Sequence, residues 1–355
     1  MALAALLREG SRPRRAPTGG HLRFGQETCE GSGEETAGQV SSQAPEDRVF
    51  TSAMGILKKL ARKSPLLDRF YRRTRALKLR WRHRNLPRHI TLGPHTLDVG
   101  GDIGMRRNYL AGDYFDGFEK VLADHVEPGD VVLDIGAHVG VTATYISERV
   151  GPHGRVHAIE PTPHLFETIR SNIARNSIDN IEPHQLAISR TDGSTTIYTN
   201  ALHSGFNSIA RTNAEIFHGT SKTISSVEVQ ALTLDTFLDR IGAFPRLIKI
   251  DCQGAEYEIF SGAKGLTTSK RPTDLFVYTE FWPQAIENSS AIEATEFLDL
   301  IARLGFEVID AEDFLEEIRN NDTLSRDERQ RFVDDVSALS RGYTNLLLRL
   351  PASDP

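Results

Sequence analysis

The stretch Val131-Val-Leu-Asp134-Ile-Gly136-Ala-His138-Val-Gly140 constrains this chain more than any other. Its run of β-branched and aliphatic residues suits a parallel strand covered on both faces. Gly136 and Gly140 permit a tight turn and close approach of the backbone to a ligand. Thr142 to Val150 then carries helix-compatible spacing. A second strand, Val156-His-Ala-Ile-Glu160, ends in a carboxylate twenty positions after Gly140, near the spacing at which nucleotide folds hold a ribose. A glycine turn alone fits any strand-to-helix connection, and Glu160 alone fits a solvated strand end. Together they favour a cofactor site.

Asp134 narrows the cofactor. A dinucleotide site keeps its glycine turn and helix N-terminus clear of anionic side chains, because they receive a pyrophosphate. Here a carboxylate stands at the strand end, and Gly136 and Gly140 do not make the three-glycine fingerprint. A phosphate would be repelled, whereas an ammonium, a sulfonium and an adenosine would be accepted. S-adenosylmethionine has that description.

The chain continues as alternating β and α. Thr162 to Asn176 reads as a helix, Ile181 to Ile188 as the third strand and Ser194 to Tyr198 as another. Asn200 to Ser226 is polar and irregular, a candidate active-site loop. Strand Val227–Ala231 and helix Leu234–Arg240 lead to the buried strand Leu247-Ile-Lys249-Ile-Asp251. Helix Ala255–Gly262, strand Leu275–Phe281, helix Ile292–Leu304 and strands Phe306–Ile309 and Asn345–Leu350 complete the unit. This alternation implies a mostly parallel sheet with helices on both faces and ligands at the strand carboxyl ends. Three of those ends are acidic: Asp134, Asp251 and Glu280. Asp251 could cap the helix that follows it or accept the hydrogen of a substrate hydroxyl, and the second reading is favoured. Glu256 is read as structural, complementing the helix N-terminus.

Of the 355 residues, the first 53 are poor in large apolar side chains and are expected to be disordered. Met54-Gly-Ile-Leu-Lys-Lys reads as a natural beginning, so the upstream segment is expected to be dispensable or a misplaced start. From Lys58 to Arg88, thirteen Lys and Arg face a single acid, Asp68. That segment of about +12 is either a basic amphipathic element for an anionic membrane surface or acidic partner, or a helical cap on an acidic body. Nucleic acid is not expected as a partner, since the rest of the chain is acidic. Cys29 and Cys252 lack disulfide or metal-ligand spacing, and no apolar stretch approaches a membrane span. A cytoplasmic location follows as the expectation, peripheral at a membrane if residues 58–88 bind one. No His/Cys ligand spacing supports a metal.

Leu133-Asp-Ile-Gly-Ala-His-Val-Gly140, Ile159-Glu-Pro161, Leu186-Ala-Ile188, Leu232 to Leu238 and Lys249-Ile-Asp-Cys-Gln-Gly-Ala-Glu256 resemble the successive motifs of the FkbM family of S-adenosylmethionine-dependent methyltransferases. The resemblance spans roughly residues 131–309. It implies the seven-stranded class I methyltransferase sheet, within a domain over 91–355, and methyl transfer to an oxygen of a sugar or polyketide hydroxyl. One departure is visible: the family usually shows an acidic residue where this chain has Gln253.

In the site so implied, Asp134, Gly136, His138 and Gly140 hold the methionine portion and Glu160 the ribose hydroxyls. Gln185 and Ala187 contact the adenine. Asp251 is the candidate base, Glu280 orients the acceptor, and His203 is a reserve base. Trp282 and Phe281 stack on a sugar face or serve as core aromatics. A catalytically silent cofactor-binding module stays open as an alternative, with Gln253 as its hint, and a nicotinamide oxidoreductase is disfavoured by Asp134.

Overall fold

The computed structural model describes residues 86–100, 103–111, 115, 117–216, 222–268, 273–311 and 324–352. The expected N-terminal tail, and residues 54–85 of the basic segment, lie outside the described residues. The chain enters through a hairpin, β1 (His89–Leu92) and β2 (His95–Asp98), which straddles the expected domain start at residue 91. Helices α1 (Ile103–Ala111) and α2 (Phe118–His125) follow. Then come β3 (Val131–Ile135), α3 (Val141–Val150), β4 (Arg155–Ile159), α4 (Pro163–Asn176) and β5 (Ile181–His184). Next are β6 (Ala187–Ile188), β7 (Gly193–Asn200), a 3₁₀ turn (Ser204–Phe206), α5 (Arg211–Ile216) and β8 (Ile224–Leu232). The second half runs α6 (Leu234–Ile241), β9 (Leu247–Ile250), α7 (Glu256–Ser261), α8 (Gly265–Thr268) and β10 (Leu275–Phe281). It closes with α9 (Pro283–Ser290), α10 (Ala294–Arg303), β11 (Glu307–Ala311), α11 (Arg326–Ala338) and β12 (Thr344–Leu350).

The main sheet has seven strands in the order β11-β12-β10-β9-β3-β4-β5. From β10 to β5 every pair is parallel, and β12 inserts antiparallel between β10 and β11. This order, with one reversed strand near the edge, is the class I methyltransferase sheet. Successive residues of each strand serve opposite faces, as the period of two requires. Leu133 and Ile135 of β3 join Ile248, Val277 and Leu348 on one face, against Phe237, Phe260, Phe297 and Phe332 of α6, α7, α10 and α11. Val132 joins Val156, Leu247 and Phe276 on the other, against Leu122, Ile146 and Ile169 of α2, α3 and α4.

Two expected elements are corrected. Ile181 to Ile188 is not one strand: β5 ends at His184, and β6 leaves to pair with Ala231 and Leu232 of β8 in a separate three-stranded sheet, β6-β8-β7. Pro183 lies within β5, which is an edge strand and so tolerates a missing amide donor. The polar loop from Asn200 to Ser226 also holds structure, the 3₁₀ turn and α5. Asn172 of α4 locks the hairpin to the body: its Nδ2 donates to the carbonyls of Asp98 and Val139, and its Oδ1 accepts from the Asp98 amide.

Candidate functional site

The strand order reverses at β3, with β4 and β5 on one side and β9 and β10 on the other. Neighbouring chain segments diverge there, leaving a crevice beyond the carboxyl ends of β3 and β9. A cavity of about 690 Å³ opens at that place, within the usual range for small-molecule sites.

Its floor is the turn after β3. The amides of Gly136 and Ala137 both donate to the Ile159 carbonyl at 3.0 Å, folding the turn onto the end of β4. Gly136 has φ +85°, and a Cβ there would lie 2.1 Å from the Asp251 carbonyl oxygen. Only glycine lets the two switch-point strands come this close. His138 also takes a left-handed backbone, φ 54°. Its amide donates to Glu160 Oε2 at 3.0 Å, and its ring nitrogens meet the Tyr109 hydroxyl at 2.8 Å and Ser204 Oγ at 2.6 Å. The imidazole thus ties α1 and the 3₁₀ turn to the floor.

Glu160 lies at the end of β4, on the cavity wall. Burial pushes its carboxyl up to about 7, while the amides of Thr162 and His138 pull it back down. Thr162 N donates to its Oε1 at 2.8 Å. Opposite, Asp251 and Glu280 close the far side of the same cavity. The Asp251 side chain keeps 45 % exposure, whereas Glu280 is buried. Burial, then the charges of Asp251 and Glu256, push Glu280 well above the carboxylate range. Gln253 joins the pair: its Nε2 donates to Asp251 Oδ1 at 2.8 Å and to Glu280 Oε2 at 3.4 Å. The Gln253 backbone is left-handed, φ 53°, and its carbonyl accepts from Ser208 Oγ and Asn213 Nδ2.

The expected residues divide into those on the wall and those beneath it. Gly136, His138, Glu160, Ala187, His203, Asp251, Glu280 and Trp282 all line the cavity. Asp134 does not; it is fully buried, and its strand partner in register is Lys249 of β9. Lys249 Nζ lies 3.5 Å from Asp134 Oδ1 and 3.5 Å from Asp251 Oδ2. Burial works against that ammonium, yet Asp134 and Asp251 hold it above the ordinary lysine value. Asp134 is therefore a counter-ion under the site. Gly140 faces Ile169 of α4 instead of the cavity. Gln185 is exposed and off the wall, because the chain leaves β5 there, and Leu186 takes the place assigned to it. Phe281 points into the core, stacked on Phe297 and Phe332. Glu256 accepts from the Cys252 amide at 2.9 Å, away from the wall, as a structural residue should.

The sequence reading missed Met105, Asn108 and Tyr109 of α1, together with Ser204, Phe206, Arg341 and Tyr343. Aromatic rings gather around Trp282 on the wall, with Phe206 6.0 Å from Trp282, Trp282 6.4 Å from Tyr343, and the Arg341 guanidinium over Tyr343. The run Arg341-Gly-Tyr-Thr-Asn345, which leads into β12, was the one signal for part of this wall.

Residues 134–308 match the methyltransferase FkbM domain model. No curated protein matches the chain. Among solved structures, an S-adenosylmethionine-dependent methyltransferase from Aquifex aeolicus is similar at 12 % identity and a TM-score of 0.35, over 68 % of this chain and 96 % of that one. Fibrillarin from Aeropyrum pernix, in complex with S-adenosyl-L-methionine, is similar at 13 % identity and a TM-score of 0.35, over 68 % and 74 % of the two chains. A geranyl diphosphate methyltransferase is similar at 11 % identity and a TM-score of 0.37, over 72 % and 92 %.

Proposed function

We propose that the chain, whose residues 134–308 match the methyltransferase FkbM domain model, is an S-adenosylmethionine-dependent methyltransferase whose acceptor is a hydroxyl on a sugar or secondary metabolite. The observation that carries the acceptor reading is the Asp251–Gln253–Glu280 group, which faces the aromatic end of the cavity across from Glu160.

The residues fit the cofactor. The Glu160 carboxyl on the cavity wall suits a ribose diol, and the carboxylates Asp251 and Glu280 offer nothing to a pyrophosphate. Glu160 would accept from the ribose hydroxyls, with Leu186 and Ala187 beside the base. Gly136, Ala137 and His138 would border the methionine portion. When bound, S-adenosylmethionine supplies a methyl carbon activated by its sulfonium.

The protein's part is to position the acceptor and receive its proton. Asp251, partly exposed at the mouth, takes the hydroxyl hydrogen. Lys249 and Gln253 fix its two oxygens from either side. Glu280, whose carboxyl burial pushes well above the carboxylate range, suits a hydrogen-bond donor to the acceptor better than a competing base. Trp282, Phe206 and Tyr343 provide ring faces for an apolar sugar or metabolite face.

Among the described residues no helix is long and apolar enough to cross a membrane. The charge of residues 58–88, about +12, supports contact with an anionic membrane surface or an acidic partner. The test of the acceptor reading is transfer from methyl-labelled S-adenosylmethionine into pooled glycans and secondary metabolites. Alkali-stable ether label is the expected product. Label confined to alkali-labile esters or to nitrogen would overturn the hydroxyl assignment.

A further inference from the structure

Away from the cavity, three side chains with metal-binding atoms converge on one face of the main sheet. His157 of β4 and Glu182 of β5 are direct partners in the parallel register. His184 lies two positions beyond Glu182, and so on the same face. His157 Nδ1 is 3.0 Å from His184 Nε2 and 3.8 Å from Glu182 Oε2, and Glu182 Oε1 is 3.7 Å from His184 Nε2. One donor atom from each residue lies within 4.8 Å of the other two. None of the three lines the cavity.

We propose that His157, Glu182 and His184 form a binding site for one divalent transition-metal ion, Zn²⁺ in the first instance. Two imidazole nitrogens and a carboxylate are a familiar set for Zn²⁺, with a fourth position left for water. Ligands about 2.05 Å from a tetrahedral centre stand ~3.3 Å apart; the two nitrogens are 3.0 Å apart, and each has a different Glu182 oxygen at 3.7 or 3.8 Å, so a rotation of this exposed carboxylate brings one oxygen towards both. His157 is buried and His184 is partly buried, with Phe237 edge-on to both, so their orientation is already set before any ion arrives. The Glu182 side chain is 55 % exposed and leaves a route for entry.

The position gives the ion a structural task. β5 is the edge strand, and its His184 carbonyl accepts from the Glu160 amide at 3.1 Å. An ion across β4 and β5 would pin the edge beside the cofactor carboxylate and the chain that goes on to Leu186 and Ala187.

The experiment is calorimetric titration of ZnCl₂ into the full chelator-treated chain, with thermal unfolding measured alongside. Saturable binding of one Zn²⁺ per chain and a raised Tm are expected, since an ion bound to the folded state stabilises it. Glu182→Ala and His184→Asn should each weaken binding by more than the about tenfold that loss of an outer-shell partner costs. Glu182 is exposed, so its variant is expected to fold, and its circular dichroism checks this. No saturable Zn²⁺ binding to folded wild-type chain would overturn the site. So would wild-type affinity in a folded Glu182→Ala variant, which would place any bound ion elsewhere.

Discussion

At the residue scale, the places of Glu160 and Asp251 on the cavity wall were legible because each follows a strand whose pattern marks it as buried and parallel. Glu160→Ala is expected to weaken S-adenosylmethionine binding by about 1.5–3 kcal/mol, the range for charge-assisted hydrogen bonds. An unchanged dissociation constant by calorimetry would remove Glu160 from the site. The carboxyl stands at about 7, and only its ionised form accepts from both ribose hydroxyls. Affinity should therefore rise as pH rises through that value, and Glu160→Gln should flatten the dependence. A flat wild-type profile between about pH 6 and about pH 8 would contradict the assignment. Gln253 is a positioning residue, donating to both acids. Gln253→Glu would replace that donor with a third carboxyl and raise the proton affinity of the group, so the acid limb of the kcat/KM profile should move to higher pH. A profile that does not move would sink the bridging role. What could not be read was direction. Asp134 reads as a strand end like Asp251, yet it lies inside β3 beside Lys249 of β9, whereas Asp251 follows β9, an offset set by the register of the two strands.

At the scale of elements, strands with continuous apolar runs were placed to within a residue or two, because a sheet covered on both faces demands such runs. Ile181 to Ile188 failed for a physical reason. Its apolar residues are shared between two sheets, and the break at Gln185 and Leu186 depends on β8 as a distant partner. The proposed metal cluster was hidden likewise, since pairing of β4 with β5 joins His157 to residues 25 and 27 positions away. The turn after β3 supplies a test of close approach. Gly242→Ala meets nothing within 4 Å and carries only its left-handed backbone, φ +63° and ψ 24°, a cost of about 1–2 kcal/mol. Gly136→Ala meets that cost and also the Asp251 carbonyl, so its loss should be larger, about 2–5 kcal/mol. Chemical denaturation of the two variants checks the order. Equal losses would mean that the approach of the two strands relaxes freely.

At the scale of the whole molecule, alternating β and α pointed to a parallel sheet, and successive motifs pointed to the family. The order of its strands, and with it the pairing of Glu160 with Asp251 across one cavity, is a property of the closed fold. Among the described residues, the wall and core fall between Ile90 and Leu350. Removal of residues 1–53 is accordingly expected to leave the Tm and the cofactor affinity unchanged, and a clear fall in either would show that the segment belongs to the domain. The central claim is that one wall of the cavity binds the cofactor while the other takes a proton from the acceptor. It is tested most directly by Asp251→Asn, compared with wild type in cofactor titration and in transfer of labelled methyl to an accepted hydroxyl. The prediction is cofactor affinity close to wild type, with turnover lowered by ~10²–10⁴-fold, as for a lost general base. Asn caps a helix as well as Asp, so a purely structural Asp251 would leave turnover intact. Full activity in the folded Asp251→Asn protein would contradict the account.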